Sequence, residues 1–125
     1  MVVLDSSAIL ALLLAEPGAE MVEPVIRGAE VSIVNFCEVL TKTAEAGGDI
    51  QATDAILISY GIRIRAFREA HAIEAARLRP LTMDLGLSLG DRACLTQGLM
   101  SALPVLTADR QMAKADIGID IRLIR

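Results

Sequence analysis

Apolar residues run from Val2 to Leu4, break at Asp5-Ser6-Ser7, and resume from Ala8 to Leu14. The first run is long enough for a short buried strand. The second is apolar on nearly every face, which predicts a buried helix from Ser6 or Ser7 to Leu14. Pro17-Gly18 ends that helix and opens another, to about Arg27. Val31–Val34 (VSIV) reads as a second strand, followed by a helix from Asn35 to Gly47-Gly48. Thr53–Tyr60 predicts another helix. Ile62–Phe67 alternates apolar and basic residues, the pattern of a half-exposed strand near a sheet edge. Arg68–Arg79 is helical up to Pro80, Ser88–Ser101 forms a further helix, and Pro104–Thr107 a fourth strand. A short turn follows Asp109, and Ile121–Ile124 is the fifth strand.

Strands alternating with helices predict an α/β fold: three layers, with a central parallel sheet of about five strands covered on both faces. With 125 residues and no linker, repeat or low-complexity stretch, residues 1–125 are expected to form one domain. Ligands of such sheets bind beyond the carboxyl ends of the strands, where the strand order reverses.

Composition sharpens this picture. Hydrophobic residues make up 54% of the chain and the only aromatics are Phe36, Tyr60 and Phe67, so the core is aliphatic. A mean hydropathy of +0.52 predicts apolar surface covered by a partner or a second copy. No apolar stretch approaches the roughly 20 residues that span a membrane. No basic leader precedes the first strand, which predicts a cytoplasmic protein. Cys37 and Cys94 lack any CxxC spacing and the chain has one histidine, so reduced core thiols are expected rather than a zinc site. His71 falls inside a helical pattern and reads as an ordinary helix residue. The net charge of −4 lacks the basic footprint of a nucleic-acid binder, unless clustered acids hold a cation.

The acids are distributed to do that. Asp5 follows the first strand, Glu38 opens the helix after the second, and Asp109 follows the fourth; Asp91 opens the helix that leads into the fourth. Each also has an ordinary structural role. Asp5 and Asp109 suit helix caps, and Asn35-x-x-Glu38 and Ser88-x-x-Asp91 suit capping boxes. Capping does not explain why all four face one rim. At a separation of about 5 Å and an effective dielectric of roughly 20, each pair repels by about 3 kcal/mol. A divalent cation would offset this, and oxygen-only donors point to Mg²⁺ or Mn²⁺.

Four stretches in order, VVLDSSAILALLLAEPG, VNFCEVLTK, LSLGDRACL and VLTADR, carry a resemblance to the PIN-domain ribonucleases, and most closely to the VapC toxins of toxin–antitoxin pairs. The resemblance spans Val2 to Ile124. It implies a PIN-like α/β/α domain, Mg²⁺-dependent endoribonuclease activity, dimers and a small antitoxin partner. By motif position Asp5, Glu38, Asp91 and Asp109 match the family's acidic quartet, with Asp5 and Asp91 as the main metal ligands. Ser6 and Thr107 match the hydroxyl positions beside the first and last acids. Arg92 and Arg110 stand where phosphate contacts are expected. The implied chemistry is attack of an activated water on RNA phosphorus, leaving 5′-phosphate and 3′-hydroxyl ends.

Two other classes remain open on the same scaffold. A Mg²⁺-dependent phosphatase or DNA nuclease is one, although DSS lacks the DxD of aspartyl phosphatases. A non-catalytic cation- or phosphate-binding module is the other, although IRIRAF and IRLIR lack a receiver's aspartate and lysine.

Overall fold

The computed structural model describes residues 1–125. Five strands form one sheet: β1 (Val3–Leu4), β2 (Glu30–Ser32), β3 (Arg63–Arg65), β4 (Val105–Thr107) and β5 (Ile121–Leu123). Their order is β3-β2-β1-β4-β5 and every pairing is parallel. Six helices surround it: α1 (Ser6–Leu13), α2 (Ala19–Val22), α3 (Ile33–Glu45), α4 (Ile50–Ser59), α5 (Glu69–Thr82) and α6 (Leu89–Ser101). This is the expected three-layer α/β/α arrangement with a five-stranded parallel sheet. No helix is long and apolar enough to cross a membrane.

The two-residue period of a strand divides the core. In β1, Leu4 points into a layer with Ala8, Ile9, Phe36, Val39 and Leu57, from α1, α3 and α4. Its neighbour Val3 points the other way, to Leu78 of α5 and Cys94 and Leu95 of α6. The run Val2–Leu4 is continuously apolar because both faces are covered. Strand order reverses between β1 and β4, so the carboxyl ends of those two strands flank the switch point. β3 lies at the edge, as the alternation of Arg63, Ile64 and Arg65 predicted.

Several boundaries differ from the sequence expectations. β2 ends at Ser32 and α3 begins at Ile33, because the Ser32 hydroxyl caps the helix by accepting from the Val34 N–H at 3.2 Å. The β-branched pair Ile33-Val34 imitates a strand, yet Ile33 is 42% exposed and sits in the first helical turn. The helix expected from Pro17 to Arg27 is a four-residue α2 followed by a 3₁₀ turn, Glu23–Val25, containing Pro24. α4 starts at Ile50 rather than Thr53, since Asp49 accepts from the N–H groups of Gln51 and Ala52. α5 passes through Pro80 to Thr82. The proline deprives the Ala76 carbonyl of its helical donor. Ala76 and Pro80 are both exposed, on the solvent side of the helix. Of the two expected core thiols, Cys94 is buried and Cys37 lies on the exposed face of α3.

Candidate active site

Asp5 leaves β1 and caps α1: its Oδ1 accepts from the Ala8 N–H at 2.9 Å. The same oxygen accepts from the Ser7 hydroxyl at 2.7 Å, and Oδ2 accepts from the Thr107 hydroxyl at 2.5 Å. Thr107 ends β4, next to β1, so this bond ties the two strand ends at the switch point. The carboxylate is 4% exposed. Its pKa stands at about 6, up from 3.8: burial is the main cause and the charge of Asp91 adds to it, against the downward pull of the three donors. Asp5 is therefore a well-bonded acid whose negative charge the protein alone leaves poorly compensated.

Asp91 is the acid whose charge acts on Asp5, and Asp109 and Glu38 stand on neighbouring elements. Asp91 closes a capping box at the start of α6, its Oδ2 accepting from the Ser88 N–H at 2.9 Å and its own N–H donating to the Ser88 hydroxyl at 3.1 Å. Asp109 caps the turn after β4 through Oδ1, which accepts from Gln111 N–H at 2.8 Å and Met112 N–H at 3.3 Å. Its backbone N–H donates to Thr107 Oγ1, so one hydroxyl links Asp5 to Asp109. Glu38 lies on α3, partly buried. The Cys94 thiol lies at the foot of this group, fully buried. Burial first, then the charges of Asp5, Asp91 and Glu38, push its pKa well above 9.0, so it stays a thiol.

Glu38 is held in a way the sequence did not foretell. α3 starts at Ile33, so Asn35 is not the cap of an Asn35-x-x-Glu38 box; it is a buried first-turn residue. Its Nδ2 donates to Glu38 Oε1 at 2.9 Å and to the Gly90 carbonyl at 3.0 Å. Gly90 sits directly beneath the Glu38 carboxylate. A Cβ there would lie 2.6 Å from Glu38 Cδ and 2.8 Å from Oε1, closer than atoms can approach.

The expected hydroxyl beside Asp5 belongs to Ser7, not Ser6. Ser7 bonds the carboxylate and also accepts from the Ala108 N–H at 2.8 Å, joining α1 to the end of β4. Arg92 is turned away from a phosphate role: its guanidinium donates to the Ala75 carbonyl of α5 at 2.9 Å, and Nε is buried without a partner. Arg110 is exposed beside Asp109. His71 accepts from the Arg68 N–H through Nδ1 at the start of α5, the helix role expected of it.

No three Asp, Glu, His or Cys side chains converge into a ready-made cation cage. The donors nonetheless suit a hard divalent ion. All are carboxylate oxygens, and the buried Asp5 carries charge that its hydrogen bonds do not offset. Asp91 Oδ1 and Asp109 Oδ2 accept no hydrogen bond from the protein.

The PIN domain family model matches residues 2–118. No curated protein sequence matches the chain. Solved structures do. A toxin–antitoxin complex from Klebsiella pneumoniae contains a chain 18% identical, with a TM-score of 0.78, covering 100% of this chain and 98% of that one. VapBC2 from Rickettsia felis, bound to a DNA fragment from its promoter, gives 13% identity and a TM-score of 0.77, with 98% of each chain covered. DNA-bound VapBC from Salmonella typhimurium gives 17% identity and a TM-score of 0.74 over the full length of both chains. At these identities the likeness is one of fold. With the family model covering nearly the whole chain, the protein belongs to the PIN domain family.

Proposed function

We propose that this chain is a VapC-type toxin: a single-domain, Mg²⁺-dependent endoribonuclease of the cytoplasm, held in check by a cognate antitoxin. The observation that carries the reading is Asp5, a buried carboxylate bound by Ser7, Thr107 and the α1 N-terminus and set against Asp91 at the sheet's switch point. Asp5 and Asp91 would hold the ion, with Glu38 and Asp109 completing the pocket. When bound, Mg²⁺ (or Mn²⁺) lowers the pKa of water and offsets phosphate charge. Thr107 and Ser7 keep the Asp5 carboxylate in place. Glu38 and Asp109 orient water for in-line attack, and exposed Arg110 contacts a flanking phosphate. Expected products carry 5′-phosphate and 3′-hydroxyl ends.

Two features support the partner. The similar folds come from a toxin–antitoxin complex and from DNA-bound VapBC assemblies. The surface also carries unpaired apolar side chains. Ile56 and Ile58 of α4 are 43% and 56% exposed, and Leu14 is 65% exposed at the end of α1. Between α1, α3 and α4 runs a groove with Leu10, Leu13, Leu14 and Ile56 in its lining, alongside Lys42, Thr43 and Thr53. An antitoxin helix fits this groove, and a basic side chain from it can enter the Asp5–Asp91 pocket through charge-assisted bonds. The remaining apolar surface is assigned to a homodimer.

The test is cleavage of structured RNA by the purified chain with Mg²⁺ or chelator, and with single-stranded and duplex DNA in parallel. Metal-dependent RNA cleavage that leaves DNA intact is the expected result. Equal cleavage of DNA would shift the assignment to a general nuclease, and no cleavage of any substrate would overturn the enzyme.

A further inference from the structure

Asn35 and Gly90 are both poor choices if stability alone is considered. Asn35 is 1% exposed and its Oδ1 has no hydrogen-bond partner, a cost an apolar residue of similar size would avoid. Its amide orientation is settled by its neighbours. Rotated half a turn, Oδ1 would face a carboxylate oxygen and a carbonyl with no donor between them. Gly90 lies inside a helix, where glycine costs backbone entropy relative to alanine. Both residues bear on the same group. Asn35 Nδ2 bridges Glu38 Oε1 to the Gly90 carbonyl, and the missing Gly90 side chain leaves the space in which the Glu38 carboxylate rests. Asp91, the next residue along, is anchored by Ser88 in the same first turn of α6.

We infer that Asn35 and Gly90 are positioning residues that dock the Glu38 carboxylate onto the first turn of α6, setting its place relative to Asp91 for one shared divalent cation. The inference rests on the metal-dependent reading of the site. Glu38 has three rotatable side-chain bonds and reaches the rim from α3, whereas Asp91 is fixed on α6. Without a link between the two helices, the carboxylate would have to be ordered as the ion binds. The bond from Asn35 orders it beforehand and occupies only one oxygen, Oε1. Neither Asn35 nor Gly90 touches the ion; each acts through Glu38.

The experiment is a calorimetric Mn²⁺ titration of the full chain. It compares wild type with Asn35→Ala, Gly90→Ala and Glu38→Ala, and with the doubles Asn35→Ala/Glu38→Ala and Gly90→Ala/Glu38→Ala. Each single change is expected to weaken Mn²⁺ binding about 10- to 100-fold, the usual effect of removing a residue that orients a ligand. In the Glu38→Ala background neither change should add more than about twofold, because the group they position is gone. A purely structural role predicts the opposite, with losses that multiply in the doubles. If Asn35→Ala fails to fold, Gly90→Ala carries the test, and removing the Glu38 side chain should relieve its steric defect. Wild-type affinity in Asn35→Ala and Gly90→Ala, with weakened binding in Glu38→Ala, would overturn the inference alone. Wild-type affinity in Glu38→Ala itself would overturn the inference together with the assignment of Glu38 to the cation site.

Discussion

Replacing Asp5 by Asn keeps the shape of the side chain and removes its charge. The fold raises the Asp5 pKa from 3.8 to about 6, chiefly by burial. Below pH 3.8 the acid is protonated in both folded and unfolded chains. Between 3.8 and about 6 the unfolded chain has released the proton while the folded one keeps it, so stability falls as pH rises. Above about 6 the loss is complete. A gap of about 2 pKa units amounts to about 3 kcal/mol, of which more than about 2 kcal/mol falls between pH 4 and pH 7. Asn escapes this loss and keeps the local bonds: its Oδ1 can accept from Ser7 and Ala8, and the Thr107 hydroxyl can turn to accept from Nδ2.

Urea unfolding of both chains in chelator, from pH 4 to pH 7, measures the difference. Groups shared by the two chains, such as Glu30 and Cys94, cancel to first order. The stability of Asp5→Asn relative to wild type should grow by about 2 kcal/mol across the range, roughly 8 °C in Tm for a chain of this length. At pH 7, Mg²⁺ should then stabilise the wild type and leave the variant nearly unchanged. A difference that is flat with pH, or that turns against Asn as pH rises, would refute the reasoning. Asp5 would then be an ordinary cap whose ionised form its three donors favour.

Asp91→Asn retains an acceptor for the Ser88 N–H and should fold normally while losing RNA cleavage by at least about 100-fold; wild-type rates in Mg²⁺ would remove Asp91 from the site. Glu30, on the α6 side of β2, is also pushed up by burial, but the Ser101 hydroxyl, the Gln97 amide and Arg65 together bring its pKa below 4.5. Its contribution is present above pH 4.5 and disappears as pH falls through the lowered pKa. Glu30→Gln should therefore cost about 1.5–3 kcal/mol near neutrality and progressively less in acid, as read by urea midpoints. Expression of the chain without its antitoxin should arrest growth, and Asp5→Ala should relieve the arrest. A purified antitoxin should inhibit cleavage less as Mg²⁺ rises, if its basic side chain and the ion share the Asp5–Asp91 pocket; inhibition independent of Mg²⁺ would place the antitoxin elsewhere.

What the sequence made legible was whatever local pattern controls. The continuous apolar runs at β1 and β4 and the basic alternation of β3 reflect burial on two faces and exposure at an edge, and each marks its strand correctly. The residues that follow strands at the switch point were legible because parallel topology sends all strand ends to one rim. The errors lie where two local signals compete. At Ile33-Val34 the β-branched run outweighed the Ser32 cap, and the misplaced start of α3 turned Asn35 from a buried amide into an imagined cap. The motif position points to Ser6, adjacent to Asp5, whereas the turn that brings the Ser7 hydroxyl back to the carboxylate is not visible in sequence. Arg92 follows an acid, yet its helix face points to α5, a tertiary fact. Gly90 gave one faint signal, a glycine in the first turn of an otherwise good helix; only the approach of Glu38 from α3 explains it.

Capping and cation binding are not rival explanations of the acids at this rim. Asp5, Asp91 and Asp109 each spend one oxygen on backbone N–H groups at the start of a helix or turn. That bond fixes the side-chain torsions, and the positive end of a helix favours the ionised form. The second oxygen is then oriented at no further entropic cost. Asp91 Oδ1 and Asp109 Oδ2 remain unbonded, while Asp5 Oδ2 takes only Thr107. Glu38 is the exception: it sits past the cap position of α3, has no backbone N–H to anchor it, and is the one acid held by a side-chain amide instead. The parallel sheet makes this economy available. Helices that begin where strands end present their N-termini beside the strand tips, so the residues that stop each strand and start each helix already stand at the switch point. An acid recruited there as a cap needs only a neighbour of the same kind to become half of an ion site. The raised pKa of Asp5 records chiefly its burial at the strand end, with the charge of Asp91 as a smaller addition.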